Sequence, residues 1–221
     1  MWLLSTWGQN DVVSTAARPY HHGGLRRALL EQGLALAREG GPSAVQLRDA
    51  ARRVGVSHNA GYRHFADRDA FLDGVASYAM AELADSMEVA LASVPTGLPA
   101  ADHAAARLQT VGSAYLEFAL AEPGLFRTAF ATRRAPEVPS SDQSSRSRQG
   151  RDPYQILTDA IDDLTAAGLL SHERRPNSEI VAWSAVHGLA TLLLDGPLRR
   201  TPPAAVTSMW ARVSDAVLRG L

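Results

Sequence analysis

The segment from Leu47 to Phe65 concentrates side chains able to hydrogen-bond to another molecule: Arg48, Ser57, His58, Asn59, Tyr62, Arg63 and His64, with Arg68 just beyond. A guanidinium fork pairs bidentately with the acceptors of guanine, an asparagine amide matches adenine, and a tyrosine hydroxyl donates to a phosphate oxygen. This chemistry is recognition rather than bond-breaking. The 221 residues hold no phosphate-cradling glycine loop, metalloprotease helix motif or nucleophile elbow, so the chain is expected not to be an enzyme and to need no cofactor. His21-His22 and the pair His58, His64 stand close in sequence, but neither has a third and fourth ligand nearby, and no metal site is expected. Cysteine is absent, which excludes disulfides, thiolate catalysis and cysteine-ligated zinc.

Donors on one short helix can enter a nucleic-acid groove only if a second helix crosses behind them at a steep angle, which needs small residues at the crossing and a permissive turn. Ala50 and Ala51 are the small residues, Gly55 is the turn, and Val54 and Val56 are apolar where the pair must bury a face. Ser57 is placed to cap the second helix, expected to run to about Phe65. Charge is divided accordingly. Residues 1–65 carry eight arginines against four acids, or +4, while residues 66–221 carry fourteen against nineteen, or −5. A basic head on an acidic body fits a nucleic-acid surface joined to another domain. All basic residues are arginine, which together with the abundant alanine reads as genomic base composition.

Around this head the chain reads as all-α. Residues 1–21 lack periodicity and are expected to form a flexible arm. A first helix carries Leu25, Ala28, Leu29 and Leu36 and stops at Gly40-Gly41-Pro42; a second spans about 45–54; Asp67 caps a long fourth helix to about Ser93. Further helices are expected over about 101–121, after Pro123-Gly124, through Tyr154, Leu157, Ile161 and Leu164, over 179–194, and along the stripe Val206, Trp210, Val213 and Val217. Residues 133–152, rich in Ser, Pro and Arg, are expected to be a mobile loop. The helix over 179–194 is apolar almost all round and must be covered on every side, in part by a second copy of the chain. No apolar run approaches the ~20 residues that span a bilayer, and Met1-Trp-Leu-Leu is too short for a signal peptide, so a soluble, cytoplasmic protein with no membrane contact is expected.

The stretch LRDAARRVGVSHNAGYRHFADRDAFLDGV, above all Arg-Asp-x-Ala-x-x-x-Gly-Val-Ser followed by Tyr-Arg-His-Phe, resembles the DNA-binding domain of the TetR family of bacterial regulators. Tyr115-Leu-Glu-Phe-Ala, Glu122-Pro123, Leu125-Phe126-Arg127 and Trp183-x-x-Val186-His187-Gly188 resemble its branch with a Trp-His-Gly regulatory domain. The resemblance implies a helix-turn-helix domain over 22–68 and a ligand-binding and dimerisation domain over 69–221. It places the helix beginning at Ser57 in the major groove, with His58, Asn59, Ala60 and Arg63 nearest base edges and Arg48 reaching in from the preceding helix. Tyr62, His64 and Arg68 match positions of phosphate contact. The implied function is a homodimeric regulator, a repressor by preference, that binds a palindromic double-stranded operator and responds to a small-molecule effector. An activator, or a helical small-molecule binder without specific DNA binding, remains the alternative.

For the effector, Tyr115, Phe118, Phe126, Trp183 and His187 are candidate contacts for an apolar or aromatic molecule, with plain core the alternative for each. For the dimer, Leu189, Leu193, Val206, Trp210, Val213 and Val217 are the candidates, on helices expected to form a four-helix interface with their copies. Gly61 departs from the family pattern, which has Leu, Ile or Pro there. Glycine inside a helix costs roughly 1 kcal/mol relative to alanine, so Gly61→Ala is expected to keep the fold and tighten operator binding in a mobility-shift titration.

Overall fold

Helices make up every regular element among the described residues, 22–131 and 142–221 of this computed structural model. The arm expected over residues 1–21 lies outside them.

Helix α1 (His22–Ala44) buries Leu29, Leu30, Leu34, Leu36 and Ala37. Its regular path breaks at Gly40 and Gly41, where Gly41 takes φ 66° and ψ −161°, a region closed to residues with a Cβ. Helix α2 (Leu47–Val54) ends in a left-handed Gly55 at φ 80°, with the Gly55 and Val56 amides bonded back to the Arg52 and Ala51 carbonyls at 3.2 and 3.0 Å. That pattern satisfies carbonyls the helix end would orphan and aims the chain into the next helix. Helix α3 (His58–Tyr62) is capped by Ser57, whose side chain accepts from the Ala60 amide at 3.3 Å. It is shorter than its polar run predicts, because Phe65 must leave the helix to pack edge-on against Phe71, 5.0 Å between centroids.

Helix α4 (Arg68–Leu91) begins at Asp67, whose carboxylate accepts from the Ala70 amide at 2.7 Å. The remaining helices are α5 (Ala100–Ala121), α6 (Pro123–Ala129), α7 (Pro153–Ala166), α8 (Ser178–Leu194) and α9 (Pro203–Gly220). Helix α1 packs on α2, α4 and α6; α5 packs on α4, α7, α8 and α9. One continuous apolar cluster therefore runs from Leu29 in the head to Leu221. At the seam between head and body α6 lies directly against the backbone of α1: a Cβ on Gly124 would fall 2.1 Å from the Ala37 carbonyl oxygen.

The expected loop over 133–152 needs correction in its second half; residues 133–141 lie outside the described residues. From Asp142 onward the chain is pinned. It forms a 3-10 turn (Gln143–Ser145), and Ser145, Ser147 and Asp152 are buried. Arg151 grips Glu88, only 4% exposed, with two bonds of 2.8 and 2.6 Å, and reaches Asp159 at 2.6 Å. Asp152 closes a capping box with Gln155 on α7. A polar composition looks like a loop in sequence because its partner, a buried carboxylate on α4, is sixty-three residues away.

Candidate functional site

The exposed side of the head gathers the donors that the sequence singled out. Arg48 on α2 and His58, Asn59, Tyr62 and Arg63 on or beside α3 are all exposed; Ala60 and His64 are half-buried. His58 and Tyr62, one turn apart, meet edge-to-face with centroids 4.6 Å apart. The arginines sort by partner. Arg53 is tied to Glu39 through two bonds of 2.8 and 2.6 Å, Arg52 lies 3.5 Å from Asp49, and Arg26 stacks 5.0 Å from the Phe65 ring centre. Arg48 and Arg63 form no hydrogen bond or ion pair among the described residues, so their forks are free for an outside acceptor.

Arg68 stands differently. Its guanidinium donates to the Pro42 carbonyl at 2.8 Å and lies 3.6 Å from Asp69, so it braces the turn after α1 instead of projecting free. Ser57 is occupied as the cap of α3. Gly61 is buried, and an added Cβ would sit 3.2 Å from Cγ and Cδ1 of Leu47, itself 2% exposed. The glycine lets α2 and α3 approach closely. The helix propensity gained by Gly61→Ala is opposed by this contact, and how far the Leu47 side chain yields decides whether operator binding tightens. A leucine at that position would overpack the crossing, at about 1–3 kcal/mol.

In the body, a cavity of about 170 Å³ opens between α4, α5, α7, α8 and α9. Tyr115 and Trp183 line it. Phe118 does not; it is core. Phe126 and His187 stand one layer back, with ring centroids 5.5 Å apart, and Phe126 meets Tyr115 edge-on at 5.6 Å. The Tyr115 hydroxyl is 2.7 Å from Nδ1 of His187, and the Trp183 indole N–H donates to the same hydroxyl oxygen at 3.2 Å. An indole can only donate, so the hydroxyl oxygen accepts from Trp183; a bare Nδ1 on His187 gives the phenol proton its own acceptor.

Burial fits this arrangement, pushing the Tyr115 phenol up and the His187 ring below its ordinary 6.5. Both groups are thereby held neutral. An unfolded chain takes up the His187 proton first, so the ring's contribution to stability is whole above about pH 6.5. It is lost as pH falls through that value and levels off below the folded pKa. Urea unfolding between about pH 7.5 and about pH 5.5 should show this loss, and His187→Gln should remove its share.

The dimer candidates need correcting. Leu189 and Leu193 are buried within the protomer, 7% and 6% exposed. Val206, Trp210, Val213 and Val217 pack against the protomer's own core, and Trp210 and Val217 line the cavity. The Trp210 indole donates to Ser113 at 2.8 Å, and its ring covers Gly112, where a Cβ would fall 2.5 Å away. A helical stripe marks a face as buried without saying what buries it. For the same reason the sequence did not identify Met80, Met87 and Phe130 as cavity residues; Tyr154 was visible only as part of a stripe. Among the described residues no cluster suited to a metal ion occurs, and no helix is long and apolar enough to cross a membrane.

Comparison with known proteins agrees with both halves of this arrangement. Residues 29–75 match the family described as bacterial regulatory proteins, tetR family, and residues 108–217 match the tetracyclin repressor-like C-terminal domain. No curated protein matches the chain. A protein of unknown function from Rhodococcus sp. RHA1 is 31% identical, with a TM-score of 0.68, over 93% of this chain and 99% of that one. A TetR family transcription regulator from Marinobacter aquaeolei VT8 is 19% identical with a TM-score of 0.58, covering 87% and 94% of the two chains. A single-residue variant of TetR from Acinetobacter baumannii AYE, solved in complex with minocycline, is 17% identical with a TM-score of 0.55 over 90% and 95%. With a reading head and a regulatory body each matched to the same family, the chain belongs to the TetR family of transcription regulators.

Proposed function

We propose that the protein is a homodimeric repressor whose two heads bind a palindromic or near-palindromic operator, and that a small uncharged molecule entering the body cavity releases it. The observation that carries this reading is the connection through α6. Phe126 of that helix packs on Tyr115 and His187 behind the cavity, while Gly124, half a turn earlier, touches the α1 backbone of the head. A change in the cavity therefore has a short mechanical path to the reading helix. Residues 22–68 act as the reading head and 69–221 as the regulatory and dimerisation part. Trp183, His187 and Gly188 act as the signature of the Trp-His-Gly branch: the first two hold Tyr115, and the third keeps the outer side of α8 flat.

That outer side supports the dimer. Helix α8 exposes Ile180, Val181, Ser184 and Leu192, and a Cβ on Gly188 would meet nothing within 4 Å; α9 exposes Ala204, Ser208 and Ala211. Small and apolar residues on two neighbouring helices suit a two-fold contact. Val181→Glu with Leu192→Glu should give monomers by light scattering; dimers that persist would place the interface elsewhere. The function is tested by isolating genomic fragments retained by the purified protein. Affinity for them should fall steeply as salt rises, and compounds that occupy the cavity should release them. Failure to retain any duplex at low salt would leave a helical small-molecule binder.

A further inference from the structure

We infer that the cavity takes an uncharged, largely apolar molecule bearing one hydrogen-bonding oxygen, and that the Ser214 hydroxyl is the group that receives this oxygen. The inference rests on the reading of the cavity as an effector site and narrows its chemistry.

Charge comes first. The lining contains no arginine and no histidine, and its single carboxylate, Asp152, is 2% exposed and accepts from the Gln155 amide at 2.8 Å. A ligand carboxylate would meet a like charge with no cation to balance it. A ligand ammonium would have to compete for oxygens that hold the first turn of α7. Burying an unpaired charge costs far more than apolar contact returns.

The polar atoms of the wall are then almost all committed. The Tyr115 hydroxyl is shared by Trp183 and His187, the Trp210 indole is bonded to Ser113, and the Ser77 hydroxyl donates to Asp142 at 2.7 Å. The exceptions are the hydroxyls of Tyr154 and Ser214, and only Ser214 is a buried residue. It is 7% exposed, lines the cavity and forms no hydrogen bond among the described residues. It does not even take the usual outlet of a helical serine, the carbonyl four residues back, which Ser208 on the same helix uses at 3.2 Å. The Ser214 oxygen faces the cavity without a protein partner among the described residues, so it is available to bond a guest. A ligand oxygen gives this hydroxyl an acceptor, while Trp183, Trp210 and Met80 supply apolar contact for the rest of the molecule.

Four probes of one shape test this on the full-length protein by calorimetry: naphthalene, acetonaphthone, naphthoate and naphthylmethylammonium. Acetonaphthone should bind about three- to tenfold tighter than naphthalene, the worth of one neutral hydrogen bond, and the two ions should not bind measurably. Ser214→Ala should bring acetonaphthone down to the level of naphthalene and leave naphthalene unchanged. Tyr154→Phe, which removes another hydroxyl of the lining, should not do so. Acetonaphthone affinity that survives Ser214→Ala, that falls instead with Tyr154→Phe, or that is exceeded by either ion would overturn the inference while leaving the effector cavity in place. Failure of all four to bind would remove the cavity as a site for molecules of this size, and the Ser214 anchor with it.

Discussion

Replacing Arg48 and Arg63 together with alanine is expected to weaken operator binding at least about thirtyfold while leaving the unfolding midpoint where it is. A bidentate contact to a base edge is worth ~1–3 kcal/mol, and each 1.4 kcal/mol is about tenfold in affinity. Two such contacts span about thirtyfold to about 10⁴-fold. The structure separates this loss from any loss of stability: both side chains are exposed and form no ion pair or hydrogen bond among the described residues, so truncation orphans no partner. Arg53→Ala is the contrasting variant. It breaks the pair with Glu39, whose carboxyl the guanidinium holds below the ordinary carboxylate range. Fluorescence anisotropy on a retained fragment at several salt concentrations reads both effects. The double variant should lose affinity chiefly through discrimination, with preference among operator sequences relaxed. Affinity within about threefold of the parent would mean that these forks do not reach the bases.

Gly124→Ala is expected to destabilise the protein by about 2–3 kcal/mol and to weaken operator binding although it lies far from the reading helix in sequence. The added Cβ would meet Ala37 oxygen at 2.1 Å and Arg38 oxygen at 3.0 Å. Both are backbone atoms, and a backbone carbonyl cannot swing aside as a flexible side chain can. Relief requires α1 to move away from α6, which carries the head with it. The same seam is laced by Arg38, which bridges Glu82 on α4 and Glu122 at the start of α6, the latter at 3.4 Å. Glu82 is pushed up by burial despite that guanidinium, so the bridge holds a carboxylate that solvent would otherwise favour more. Denaturant unfolding and operator titration on the same preparation decide the matter. Wild-type stability would show that the seam yields freely, and the path from cavity to head would then have to run through α4.

Much of this protein was legible in its sequence because the signals are local. Gly40-Gly41-Pro42, Gly55, Ser57 and Asp67 act within a turn of themselves, through positive φ or a side-chain bond to a nearby amide, so the helices of the head, the end of α3 apart, could be placed from spacing. The exposed donors of α3 were legible for the same reason: a short helix dense in polar groups has no core to bury them in.

What the tertiary structure decided is which neighbour each face meets. Trp210 and Val217 of the α9 stripe proved to be cavity wall, and the dimer candidates on α8 proved to be core. The polar stretch before α7 proved to be pinned to Glu88, and Arg68 proved to be a brace. The segment Leu47–Phe65 kept its reading, but only two of its arginines stand free among the described residues. Helical period reports that a residue is buried; burial is satisfied equally by a core, a ligand or a second copy. The partners that choose among these lie tens of residues away, where no periodicity extends.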